Sequence, residues 1–68
     1  MAEIVFLVED APESGFTAKA LGYSIYTEAD NREELKLAIQ DALECHFEEG
    51  AKPKVVWLHY LREEVMAV

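Results

Sequence analysis

The side chains with the widest chemical reach in this 68-residue chain are two histidines, His46 and His59, and a single thiol, Cys45. Their spacing matches no metal-binding pattern, because there is neither a Cys-x-x-Cys nor a His-Glu-x-x-His. Cys45 and His46 are adjacent. Neighbours on a helix point about 100° apart, so the two do not make a nucleophile and base pair. Glu44, Glu48 and Glu49 surround the thiol with negative charge, the opposite of the setting a thiolate nucleophile needs. Ser14 sits in Glu13-Ser14-Gly15 rather than in a Gly-x-Ser-x-Gly elbow, and no glycosidase-like carboxylate pair stands out. Gly15, Gly22 and Gly50 are too dispersed to cradle a phosphate. The expectation is a protein that is not an enzyme and has no catalytic, metal or cofactor residues. His46 reads as a structural group near a helix C-terminus, and His59 as a half-buried strand or interface residue.

The elements that must position these residues follow from pattern. Residues 4–8 (Ile-Val-Phe-Leu-Val) form a short β-branched run that ends in the turn chemistry of Pro12, Ser14 and Gly15. From Phe16 the chain alternates Phe16, Ala18 and Ala20 against Thr17, Lys19 and Leu21, and after Gly22 a third run covers 23–27. Asn31 is a good N-cap with Glu34 three positions on, where Asp30, Glu33 and Glu34 also suit the positive end of a helix dipole. Leu35, Ala38, Ile39, Ala42, Leu43, His46 and Phe47 then define one apolar stripe. The helix is expected to end near Glu49, with Gly50 in a left-handed C′ conformation. Residues 54–62 carry the strongest strand signal, and a short tail closes the chain. The order β-β-β-α-β predicts an α+β, two-layer domain over residues 1–68, with one helix packed on a small, mostly antiparallel sheet.

Composition bounds what such a domain does. Six Lys and Arg against fourteen Asp and Glu give 6 − 14 = −8, which argues against a sequence-independent grip on phosphate backbones. Trp57, Tyr60, Tyr23 and Tyr26 offer stacking surfaces for bases, but with so few basic residues they read better as core or interface anchors. No direct nucleic-acid binding is expected; basic or apolar partners are. The first apolar run is too short for a signal peptide or a membrane span, so no membrane partner is expected. The single cysteine excludes an intramolecular disulfide and fits a reducing cytoplasm.

One helix covers one face of a sheet, yet the first and last strands are apolar on both. Ile4, Phe6 and Val8 oppose Val5 and Leu7, while Val55, Trp57, His59 and Leu61 oppose Val56, Leu58 and Tyr60. One set lacks a cover, and an apolar band of that size in water implies a second subunit or another protein. The expectation is a homo-oligomer, a dimer or higher. Its interface candidates are Val5, Leu7, Val56, Leu58 and Tyr60 on the sheet and Glu44 and Glu48 on the acidic helix face. The competing expectation folds Val65, Met66 and Val68 of the tail back over the second face.

Gly15-Phe16, the glycine at 22 and the stretch Tyr26-Thr27-Glu28-Ala29-Asp30-Asn31-Arg32-Glu33-Glu34-Leu35 give the chain a resemblance to the N-terminal domain of HicB-type antitoxins. Those domains run from a Gly-Tyr or Gly-Phe at the second strand, through a Pro-Gly-containing turn and a Gly-Asp-Thr-x-x-Glu-Ala helix start, into a helix rich in Ala, Leu and Glu; here the turn has Leu21-Gly22 without the proline, Ala29 stands for the glycine and Asn31 for the threonine. The resemblance spans roughly residues 3–62. It implies a non-catalytic, oligomeric, cytoplasmic module that binds and occludes a small basic RNA-cleaving toxin of the HicA type. The family usually carries a C-terminal DNA-binding segment, for which residues 63–68 are too few, so the expectation is a stand-alone partner domain. Two other readings stand beside it: a small self-assembling structural domain, and a small-ligand binder or enzyme that uses His46 and His59 at a subunit interface.

Overall fold

The β-branched run after Met1 opens the fold as β1 (Glu3–Asp10), the strand around which everything else is arranged. The computed structural model describes residues 2–62 and 64–68 and continues with β2 (Phe16–Ala20), β3 (Tyr26–Ala29), α1 (Arg32–His46), a 3-10 turn over Glu49–Ala51, and β4 (Val55–Tyr60). The strands form one sheet in the order β3-β2-β1-β4. β1 pairs antiparallel with β2, and β2 with β3, as short connections allow; β4 returns through α1 and lies parallel to β1. The sheet is therefore mixed and mostly antiparallel, and the domain is the two-layer α+β fold expected from the element order.

Alternation decides which residues make the core. Ile4, Phe6 and Val8 of β1 are buried on the helix side with Ala18 and Ala20 of β2, and α1 places Leu35, Ile39 and Leu43 over them. The helix packs chiefly on β3 and β2. The small side chains of Ala18 and Ala20 leave room there for its leucines and isoleucine. Asn31 caps α1, its Oδ1 accepting the Glu34 N–H at 2.8 Å.

Three boundaries differ from expectation. The third strand begins at Tyr26, not at 23, because Gly22 (φ +84°) turns the chain and Ile25 drops into the core, its carbonyl accepting the Ala20 N–H at 3.0 Å. The helix stops at His46, and Phe47 takes an extended backbone that swings its ring onto the core and against Tyr23. Gly50 accordingly lies in the 3-10 turn and not in a left-handed cap. The tail does not fold back either: Val65, Met66 and Val68 stand in solvent, with Val65 98% exposed. Glu63 lies outside the described residues. No helix among them is long and apolar enough to cross a membrane.

Gly15 and Gly22 both have positive φ, near +86° and +84°, but only Gly15 is crowded: a Cβ there would collide with the Ala29 carbonyl oxygen across the β2–β3 ladder. Gly22→Ala is expected to cost about 1 kcal/mol, the penalty of a left-handed backbone alone. Gly15→Ala adds a backbone collision and should cost roughly 3 kcal/mol or more. Urea unfolding midpoints check the ranking, and equal losses would contradict it.

Candidate protein-interaction surface

The face of the sheet turned away from α1 follows from the register. Val5 and Leu7 of β1 point there, beside Trp57 and His59 of β4 on one side and Leu21 and Lys19 of β2 on the other. Lys19 lies opposite Tyr26 of β3, which extends the same face. Nothing within the described chain covers it. Trp57 is 50% exposed and Tyr26 62%, and Leu21 and Val55 are open as well. Burying one such side chain fully is worth about 1.5–3 kcal/mol, so the face holds a large unspent driving force for association.

The rim of this face is acidic. Glu3 and Glu9 share the outward parity of Val5 and Leu7, and Glu28 stands beyond Thr17 in the same cross-strand row as Glu9. Lys19 is the one lysine in this set of paired outward residues. At one end the Trp57 indole N–H donates to the Glu3 carboxylate at 2.9 Å, between neighbouring strands. That bond ties a large aromatic beside Val5 while leaving half of it exposed. A pre-oriented aromatic of this kind loses little freedom when a partner covers it.

The interface candidates separate into two groups. Val5 and Leu7 belong to the open face. Val56 and Leu58 do not: opposite Ile4 and Phe6 in parallel register, they lie on the helix side, partly buried against the core. Their exposed flank borders a groove of about 210 Å³ with Lys36, Ile39 and Gln40 of α1. Tyr60, opposite Val8, also lies on the helix side. The Arg32 guanidinium stacks 4.8 Å from its ring centroid, and Phe16 meets it edge-on at 6.1 Å. Of the acidic pair, Glu44 is engaged by Lys52 in an ion pair, and Glu48 is exposed after the helix end. Residue alternation alone missed Trp57, Val55 and Tyr26 as members of the open face, since it yields two sets per strand without saying which one the helix covers.

The chemically capable side chains are spread out. His46 packs edge-on against Tyr23 and Phe47 at the C-terminal end of α1, with centroids 6.0 and 4.8 Å away. His59 sits on the opposite side of the sheet. Cys45 is exposed on the helix. Among the described residues no group of three or more His, Cys, Asp or Glu side chains is placed to hold a metal ion. A further cleft at the start of α1 is lined by Glu13, Glu28, Asp30 and Glu34, adding to the negative field of the same end of the molecule.

Two relatives match over most of their length. A UPF0150 protein of Archaeoglobus fulgidus is 56% identical over 52 residues, which cover 76% of this chain and 77% of the relative. A UPF0150 protein of Thermotoga maritima is 42% identical over 66 residues, covering 97% and 93% respectively. No protein-family model matches the chain, and no solved structure gives a significant match.

The Glu3 tether makes a direct prediction. Glu3→Ala should cost at most about 1 kcal/mol, as expected for an exposed hydrogen bond to a charged group. It should also lower the steady-state fluorescence anisotropy of Trp57, the only tryptophan. Unchanged anisotropy in the folded variant would contradict the tether.

Proposed function

The chain belongs to the UPF0150 family, and we propose, on the ground of its open sheet face and not of that family name, that it is a non-catalytic, oligomeric protein-interaction module that works in the manner of HicB antitoxins. Its partner in this reading is a small basic RNA-cleaving toxin of the HicA type. One observation carries the proposal: an open sheet face with an apolar centre at Val5, Leu7 and Trp57 and a carboxylate rim at Glu3, Glu9 and Glu28. An apolar centre supplies affinity once water is excluded, and the acidic rim speeds and orients the approach of a cationic protein. A protein that grips RNA through Lys and Arg meets here carboxylates in place of phosphates. Blocking is then steric and electrostatic, and no bond in either protein need be made or broken.

The net charge of −8 per chain supports the same reading, because long-range attraction to a basic partner grows with the number of subunits that share the surface. The resemblance at Gly15-Phe16 and across Tyr26–Leu35 supplies the class of partner. The cytoplasm is the compartment proposed, as the place where such a toxin meets RNA.

The test is reconstitution with whichever small basic proteins are found encoded beside this chain, measured by calorimetry together with RNA cleavage. Binding with loss of cleavage is expected, with affinity falling as salt rises. Trp57→Ala should weaken binding about tenfold or more, the range for a central aromatic anchor. Absence of binding to any neighbouring basic protein, with no protection of cells that express it, would count against the proposal.

A further inference from the structure

α1 packs chiefly on β3 and β2, so the inward side of β4 is only partly covered along a groove between strand and helix. The groove begins as the cavity of about 210 Å³ at Ile39, Val56 and Leu58, and toward the start of β4 it continues into a second of about 420 Å³ at Leu43 and Pro53. Gln40 and Val56 line both. The floor is apolar and the rim is basic: Lys36, Lys52 and Lys54 are half of the six Lys and Arg in the chain. Lys52 is held by Glu44, but Lys36 and Lys54 make no ion pair among the described residues. On a chain of net −8, this is a local excess of cations beside open aliphatic surface.

The tail has the matching character. Glu64 leads into Val65, Met66 and Val68, which stand almost fully exposed. The radius of gyration is 13.4 Å, where a compact chain of 68 residues has about 11 Å. The tail therefore stands off the domain as an apolar strip without cover. Its own groove lies behind it: the Leu61 N–H still donates to the Val8 carbonyl at 2.8 Å, so the chain is following β1 forward there, while the groove runs back along β4. Entry from the same chain needs a reversal within residues 61–64, Leu-Arg-Glu-Glu, which holds none of the glycine, proline, asparagine, aspartate or serine that tight turns use.

We propose that the tail of each copy, residues 64–68, lies in the groove between α1 and β4 of a second copy, a reciprocal exchange about a two-fold axis that closes at two chains. The inference rests on the self-association contained in the proposed function and names the segment and the groove that perform it. Val65 and Met66 leave water for an aliphatic floor, and Lys36 and Lys54 supply the charge opposite to Glu64. Each copy gives one tail and receives one, so neither a tail nor a groove is left over. The exchange uses the helix side of the sheet. The Trp57 face on the other side stays open to the basic partner.

The experiment is isotope-filtered NMR on an equimolar mixture of labelled and unlabelled whole chain, with light scattering to report mass. Nuclear Overhauser contacts are expected between the Val65 and Met66 methyl groups of one copy and Ile39, Val56 and Leu58 of the other. Met66→Asp changes an exposed side chain, so the single chain keeps its fold, and it should raise the dissociation constant of the pair about tenfold or more. Met66→Leu should restore association, and Trp57-dependent binding of the toxin should persist in both variants. The same methyl contacts confined to one copy would overturn the exchange and assign the groove to the chain's own tail. Assembly without tail contacts, or with association unchanged in Met66→Asp, would overturn it while leaving self-association intact. Contacts from the toxin to Val56 and Leu58 in place of the tail would overturn it in favour of that partner. A chain that binds toxin but stays monomeric would overturn this inference and leave toxin capture standing.

Discussion

A single helix can cover one face of a four-stranded sheet, and the one long helix among the described residues lies on the face formed by Phe6, Val8, Ala18 and Ala20. Everything distinctive about the molecule follows from that limit. β1 is apolar on both sides, so burying Ile4, Phe6 and Val8 obliges Val5 and Leu7 to point outward. β4 repeats the pattern with Trp57 outward and Val56 and Leu58 inward. Domains of this size bury only about 60% of the surface their unfolded chains expose. An outward apolar face is therefore a considerable share of the hydrophobic surface left to use, and covering it would add to stability.

The same limit explains the position of the charges. Carboxylates occupy the rim of the open face, the helix start and the segment after the helix, where they keep an apolar surface hydrated without filling its centre. The bond from Trp57 to Glu3 joins the two themes, since it uses a rim carboxylate to hold a central aromatic in place. On the other side of the sheet, the stack of Arg32 on Tyr60 does comparable work for the fold, closing the end of the core beside Phe16 with a cation rather than with more aliphatic bulk.

Much of this was legible in the residues. The element order, the Asn31 cap, the stripe of Leu35, Ile39 and Leu43, and the shortage of cover for a second face all follow from local pattern. What was not legible depended on choices between equivalent local solutions. Tyr23-Ser24-Ile25 has strand-like residues, but a glycine turn needed them, and only the burial of Ile25 shows where the strand can begin. Gly50 is suited to a helix cap, yet Phe47 ends the helix first because its ring gains more by packing on the core. Alternation alone groups Val56, Leu58 and Tyr60 with Val5 and Leu7, because it leaves the choice of face open. The bonds from Lys54 and Val55 to Ala2 set the parallel register that separates them.

The UPF0150 relatives extend the account beyond one chain without naming an activity, so the physical claim at its centre is that this fold is completed by something outside itself. Sedimentation equilibrium of the purified chain at tens of micromolar addresses that claim most directly. The account requires a mass of at least two chains of 7.7 kDa each. A species that remains at 7.7 kDa throughout that range, with Trp57 still open to a soluble quencher, would contradict it.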